Sequence, residues 1–281
     1  IEYLNATERA RAVLGPYGAP LDDSFRREVR TGDTLAVLGS GPSVNALGAE
    51  VFDWIDRQDS IGFNWWLAHP FAPDMYLLQG APLVAGVSPI RRLLEHSEPR
   101  WRDRTRFVLR GNQLATNPAA MRAIVDGLVD PARCRMMTEF QLHGRLEAPM
   151  PECFEFAERL GLMPRGRIPP FVVKWQATLG LVLSLAYNMG YERVVLFGID
   201  MTSDAHFFDA PAYAEARRAI GLPEPKRGAI TGMTDPRRQA TPVADAVVAF
   251  ARLCEERGGM RTFLAAPGSA LEGRLPAWEG P

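Results

Sequence analysis

Five residues, Gly39-Ser40-Gly41-Pro42-Ser43, follow directly on the apolar run Thr34–Leu38. Glycines let backbone N–H groups come close to a phosphate, and the N-terminus of a following helix favours negative charge. The same residues also suit a plain tight turn between strand and helix. Val44 stands where a dinucleotide fingerprint has its third glycine, and no Walker lysine follows, which argues against both of those motifs. A second polar punctuation is Phe63-Asn64-Trp65-Trp66. The Asn64 amide offers an acceptor and two donors to a base, sugar or phosphate, while Trp65 and Trp66 read as core or sheet-edge aromatics.

Lys174-Trp175-Gln176-Ala177-Thr178 opens a long apolar segment. Thr178 and nearby amides can receive a second part of a ligand and Lys174 can neutralise phosphate; the alternative is an ordinary helix start with a solvated lysine. Gly198-Ile199-Asp200 ends another apolar run, where Asp200 either holds ribose hydroxyls or a base, or caps the next turn. His206 follows in the polar stretch 202–209, beside Asp204. An imidazole titrates near neutrality and suits general-base work, although a lone loop histidine is also common as plain surface. His69, His96 and His143 have no such setting, and no HxxxH, DxD or carboxylate cluster suggests a tightly bound metal. Residues 223–242 are rich in Pro, Gly and Arg, with Lys226, Arg227, Thr231, Asp235, Arg237 and Arg238. A patternless stretch of this length is either a lid whose cations close over a phosphate or a solvated loop.

Positioning these residues requires strands that end where they begin. Short apolar runs at 34–38, 60–63, 75–78, 107–109, 194–197 and 262–265 predict buried strands. Helices are predicted at 22–29, from Asn117-Pro118 with Met121, Ile124 and Val125 on one face, from 176 to Asn188-Met189-Gly190, and over 243–257 with Val243, Val247, Phe250 and Cys254 at helical spacing. Strands alternating with helices imply an α/β fold: a mostly parallel Rossmann-like sheet covered on both faces, with ligand loops at the carboxyl ends of its strands. The division expected is an N-terminal helical arm over 1–30, with a weak capping box at Asn5 and Glu8, and an α/β domain over 31–281 with a lid at about 203–242.

Lys and Arg total 32 against 33 for Asp and Glu, a net charge of -1. No global positive field exists to hold nucleic acid, though a local basic patch stays open. Hydrophobic residues at 47% and charged residues at 23% are those of a globular chain. Cys134, Cys153 and Cys254 are too far apart in sequence for a disulfide framework or a CxxC zinc site, so a reducing, cytoplasmic setting is expected. The longest apolar stretch, 177–187, is shorter than the roughly 20 residues of a membrane span, and no signal peptide is recognised. Ile1 in place of Met suggests an excised domain, so an anchor or second module can lie beyond it.

The order of these motifs resembles the bacterial CMP-sialic acid sialyltransferases, single-domain enzymes of GT-A-like fold that work without metal. The residues that carry the resemblance are Gly39-Ser40-Gly41-Pro42-Ser43, Asn64, Ala177-Thr178, Gly190-Tyr191 and Gly198-Ile199-Asp200, and it runs from about residue 34 to 271. The core is also similar to that of nonulosonate and β-Kdo transferases, which use CMP-sugars too. The resemblance implies a CMP-sugar donor bound over Gly39, Asn64, Thr178 and Asp200, no cofactor, and transfer of a 2-keto sugar acid to a glycan or glycolipid acceptor, with peripheral contact at the inner face of the membrane. Lys174 or the Arg237 and Arg238 loop would stabilise the leaving phosphate. The chain departs from the family at Trp65, where a Gln is expected, at Thr202 and Phe208, near the positions of two tyrosines, and at 231–241, which holds no histidine. Catalysis therefore falls to His206 as general base for inversion, or to Asp204 or Asp235 as nucleophile for retention. Two other readings are a pterin pyrophosphokinase-like enzyme using Mg²⁺ and ATP, and a nucleotide-binding module without activity. Gly41→Val is expected to harm ligand binding more than folding.

Overall fold

A computed structural model of the chain describes residues 17–79, 89–111, 118–142, 150–175, 177–221 and 242–281. In chain order these form β1 (Ala19–Pro20), α1 (Asp23–Val29), β2 (Thr34–Leu38), a 3-10 turn at Pro42–Ala46, α2 (Ala49–Asp56), β3 (Asp59–Phe63) and β4 (Met75–Leu78). Then come α3 (Pro89–Trp101), β5 (Arg106–Arg110), α4 (Pro118–Val125), β6 (Cys134–Met137), β7 (Glu139–Leu142), α5 (Met150–Arg159), β8 (Val172–Trp175) and α6 (Thr178–Met189). The chain continues through β9 (Arg193–Phe197), 3-10 turns at Phe207–Asp209 and Pro211–Tyr213, α7 (Ala214–Ile220), α8 (Val243–Gly258) and β10 (Arg261–Leu264).

Eight strands make one sheet in the order β1-β6-β5-β4-β3-β2-β9-β10, and every neighbouring pair is parallel. Parallel strands are buried on both faces, which is why these runs are continuously apolar rather than alternating. Successive side chains still go to opposite faces. Leu35, Val37, Ile61, Val108, Val194 and Leu196 enter one core with Phe25, Phe154 and Phe250 from α1, α5 and α8. Ala36, Leu38, Leu78, Leu109, Val195 and Phe197 enter the other with Ile55, Leu93, Ile124 and Ile220 from α2, α3, α4 and α7. The expected α/β architecture with helices on both faces is the one observed.

The helix α6 is buried from Leu179 to Met189 and ends at Gly190, which adopts φ 87°. It lies against β8, which with β7 forms a second, two-stranded parallel ladder outside the main sheet. Residues 19–29 differ from the arm expected over 1–30: β1 extends the main sheet beside β6, and Phe25 is fully buried. The aromatic ring at Phe25 provides the reason, because its burial removes large apolar area from water. The remaining positions of that arm, residues 1–16, lie outside the described residues, as does the stretch 222–241.

Candidate functional site

The chain leaves β2 outward through β3, β4, β5 and β6, then returns by way of β8 and α6 to β9 on the other side of β2. That reversal is the topological switch point of an open α/β sheet, where loops on the two sides diverge and leave a crevice. A cavity of about 550 Å³ occupies it, within the ~300–1,000 Å³ typical of small-ligand sites. Its lining comes from the carboxyl ends of β2, β3, β4, β5, β8 and β9. Asn64, Lys174, Thr178, Asp200, Asp204 and His206, together with Gly39, Ser40 and Gly41, all reach it.

The glycine loop is built differently from the expectation. The Gly39 N–H donates to Phe197 O and the Gly41 N–H to Gly198 O, both at 2.8 Å. The Ser43 N–H donates to Asp200 Oδ2 at 2.9 Å, and the Ser43 hydroxyl to the other carboxylate oxygen. These three amides are engaged within the protein and are not the cradle for a phosphate that the sequence suggested. The glycines serve packing instead. A Cβ on Gly41 would stand 2.5 Å from Asp200 Oδ2 and 2.8 Å from Gly198 O, and one on Gly39 would stand 2.5 Å from Gly198 O. Gly198 itself adopts φ 64° with Gly39 O 2.4 Å from where its Cβ would be. Gly41→Val is therefore expected to disturb folding as well as binding. Pro42 opens the 3-10 turn, and neither it nor Ser43 lines the cavity.

Asn64 and Met201 are the two non-glycine residues with left-handed backbone among the described residues, each at φ 57°, and both line this cavity. An L-residue there costs about 1–2 kcal/mol, and such strain concentrates at functional sites. The Asn64 side-chain oxygen accepts from Gln79 Nε2, and its carbonyl accepts from the Tyr76 hydroxyl. Gln79 Oε1 in turn accepts from Arg110 Nη1 at 2.8 Å and from the Thr178 hydroxyl at 3.2 Å. Arg110 makes a two-pronged pair with Glu139, Nη2 to Oε2 being 2.7 Å, and both side chains are buried. Gln79, Arg110 and Glu139 were missed in the sequence. Gln79 and Arg110 carried the same signal that marked Asn64, a polar residue at the carboxyl end of a buried strand.

Lys174 points a second cation into the cavity and, among the described residues, has no ion-pair or hydrogen-bond partner. Burial lowers its pKa, the nearby Arg110 lowers it further, and Glu139 opposes both. It belongs to β8, three residues before Ala177, the N-cap of α6, which supplies no side-chain cap. Unengaged N–H groups at a helix start and an adjacent ammonium both favour an anion.

His206 holds its Nδ1 3.1 Å from the Ser40 hydroxyl, and its ring stacks on Phe208 at 4.7 Å. Burial lowers its pKa, against Asp209, the Ser40 backbone and Asp204, which all raise it; the imidazole is neutral near pH 7. Trp65 sits edge-on to Phe208, whereas Trp66 is fully buried and donates to Phe71 O at 3.0 Å. His69 lies among Phe52, Trp66 and Phe207, and burial drives its pKa down to about 4. His96 is exposed. Asp235, Arg237 and Arg238 lie outside the described residues, as do Lys226, Arg227, Thr231 and His143. Among the described residues, no group of three His, Cys, Asp or Glu side chains could hold a metal ion, and no helix is long and apolar enough to cross a membrane.

No family model and no curated protein matches the chain. Among solved structures it is similar to the Campylobacter jejuni sialyltransferase CstII in complex with CMP-3FNeuAc, at 11% identity and a TM-score of 0.46, over 88% of this chain and 86% of that one. It is similar also to the monofunctional alpha-2,3-sialyltransferase Cst-I from Campylobacter jejuni, at 11% identity and a TM-score of 0.44, over 87% of this chain and 80% of that one. These solved structures are sialyltransferases, the family that the motif order resembles; at such identities and TM-scores the likeness carries no argument about chemistry.

Proposed function

We propose that the chain is a glycosyltransferase that moves a 2-keto sugar acid (sialic acid, another nonulosonate or Kdo) from its CMP donor to a glycan or glycolipid acceptor. The observation that carries this reading is the meeting, in one switch-point cavity, of Asn64, Lys174, Thr178, Asp200 and His206 from four separate motifs. The nucleoside lies between the glycine loop and Asn64, with Asp200 holding the loop and offering its remaining lone pairs. The phosphate lies at Lys174, Thr178 and the start of α6, where cation and helix N-terminus stabilise it as a leaving group. Arg237 and Arg238 supply further cations to it. CMP leaves as a monophosphate, so the reaction needs less metal assistance than a diphosphate would. His206 takes the proton of the acceptor hydroxyl as its oxygen bonds to the anomeric carbon and the bond to CMP breaks. In the retaining alternative Asp204 or Asp235 forms a glycosyl ester first. The enzyme works in the cytoplasm at the inner face of the membrane.

Thermal unfolding with ligands tests the proposal. CMP in the presence of EDTA stabilises the chain, by about 2.7 kcal/mol at a hundredfold excess over Kd. Stabilisation by ATP with Mg²⁺ and not by CMP would point to the pyrophosphokinase reading. CMP binding without turnover of any CMP-sugar would point to an inactive module.

A further inference from the structure

Arg110 fixes the sense of every hydrogen bond that leads from it to Asn64. Its Nε and Nη2 are taken by the Glu139 carboxylate, the second at 2.7 Å, and both side chains are buried. That grip leaves Nη1 directed at Gln79, 2.8 Å from Oε1. A guanidinium only donates, so the Gln79 atom against it is the oxygen, and the amide of Gln79 cannot be turned over. The Thr178 hydroxyl, 3.2 Å away, donates to that same oxygen and fills its second lone pair. Gln79 Nε2 therefore points the other way and donates to Asn64 Oδ1. The two ends of a side-chain amide have the same shape, and only their partners distinguish them. Here the chain of partners starts from a group with one possible polarity.

We infer that Gln79 is a positioning residue that holds the Asn64 amide with its NH2 toward the cavity, so that the ligand atom set against Asn64 is a hydrogen-bond acceptor. The opposite orientation would set Asn64 Nδ2 against Gln79 Nε2, two donors facing each other. The backbone of Asn64 is held as well, since its carbonyl accepts from the Tyr76 hydroxyl while its φ is 57°. Among the described residues Asn64 Nδ2 has no hydrogen-bond partner, and Asn64 and Gln79 both line the cavity. Amide hydrogens in a crevice stay unsatisfied unless water or a ligand accepts them. A carbonyl oxygen, a phosphoryl oxygen or an unprotonated ring nitrogen satisfies Asn64, and an amino group does not. The polarity of this wall is thus handed across the strand ends, from Glu139 of β7 through Arg110 of β5 and Gln79 after β4 to Asn64 after β3. A buried ion pair that meets the ligand only through Gln79 and Asn64 in this way selects what the cavity takes.

The ligand half of this inference rests on the transferase reading; the orientation of the amide does not. Gln79→Glu tests the orientation, because a carboxylate keeps the bonds from Arg110 and Thr178 but has no hydrogen for Asn64. The Asn64 amide then turns over, with Nδ2 donating to the new carboxylate and Oδ1 facing the cavity. Proton–nitrogen spectra of the full chain follow hydrogen exchange at the side-chain amides, with Asn64→Asp and Gln79→Met identifying the two signals. In the ligand-free unaltered chain the expected result is a protected hydrogen on Gln79 Nε2 and fast exchange on Asn64 Nδ2. In Gln79→Glu the protection passes to Asn64 Nδ2. CMP affinity falls about tenfold in that variant, and the affinity of uncharged cytidine falls with it, which separates the turned amide from repulsion of the phosphate. A protected Asn64 Nδ2 in the ligand-free unaltered chain overturns the inference, and this measurement needs no variant of Gln79 to fold. Fast exchange at Asn64 Nδ2 in a folded Gln79→Glu protein overturns it too, as does an inverted exchange pattern with unchanged cytidine affinity. A Gln79-dependent pattern in a chain that binds neither CMP nor cytidine upholds the positioning and sinks the transferase reading instead.

Discussion

The two walls of the cavity use polar groups in opposite ways. On the β2 and β9 side, the amides of Gly39 and Gly41 are bonded to Phe197 O and Gly198 O, the amide of Ser43 to the carboxylate of Asp200, and the hydroxyl of Ser40 lies against His206. On the β5 and β8 side, Arg110 is bound to Glu139 and Gln79, but Lys174 beside it has no partner among the described residues. The first wall is scaffolding whose recognisable motif reflects close packing of two crossing loops. The second keeps, among the described residues, a cation without an ion-pair partner and a helix start without a side-chain cap, features that favour an anion. The conspicuous motif is thus the less available one.

The largest effect should come from the pair that holds the second wall. Glu139→Gln leaves the buried Arg110 charge without its carboxylate and should cost about 3–5 kcal/mol, read from denaturant midpoints. A joint replacement, Arg110→Met with Glu139→Leu, should recover most of that loss while changing ligand affinity. No loss from Glu139→Gln would show that the wall is not built on this pair.

Next comes the first wall. Gly41→Val should lower stability by about 1–3 kcal/mol, because the branched side chain would displace the Asp200 carboxylate and Gly198 O. An undisturbed melting temperature with lost CMP binding would reverse the contrast drawn between the walls.

Lys174→Met should be a smaller change of a different kind. Stability is unchanged or slightly higher, since the amine is half-desolvated and unpaired, whereas CMP affinity falls about tenfold, or ~1.4 kcal/mol. Equal CMP binding by Lys174→Met and the unaltered chain would remove the anion from this wall.

The last effect is one of pH. His69 has a folded pKa of about 4 against 6.5 in the unfolded chain, so between those values the unfolded state binds more protons and stability rises with pH. Its contribution is complete above pH 6.5 and is lost as pH falls through that value toward 4. His206 shifts in the same direction, but the carboxylates of Asp209 and Asp204 work against it. Denaturant midpoints followed from neutral to acid pH should therefore flatten more in His69→Gln than in His206→Gln. The reverse order would mean that the cavity histidine, rather than the packed one, carries the penalty of burial.

Much of this architecture was legible residue by residue. Continuous apolar runs such as Thr34–Leu38 and Val194–Phe197 announced strands buried on both faces, and Gly190 marked the end of α6. Polar residues directly after such runs, Asn64 and Asp200, marked the edge of a crevice that does exist. Gln79 and Arg110 had the same placement, each followed by a glycine, Gly80 and Gly111, and were passed over because neither belongs to a known motif. The strand β1 was hidden by the breaker residues around Gly18 and Pro20, since its pairing is decided by β6, more than a hundred residues away.

The sequence by itself determined the α/β class, the faces of the strands and the set of strand ends from which a site could be assembled. These follow from local periodicity and from which side chains leave water. Only the tertiary structure decided which ends meet. The return of β9 to the side of β2 opens the crevice, and that same crossing takes up the glycine-loop amides. The Arg110–Glu139 pair forms beside Lys174, which has no ion-pair partner among the described residues, and Ser40 turns to His206 across 166 residues of chain. Each of these is a non-local pairing of groups, and a donor shows in sequence as a donor whether or not the fold has already given it an acceptor.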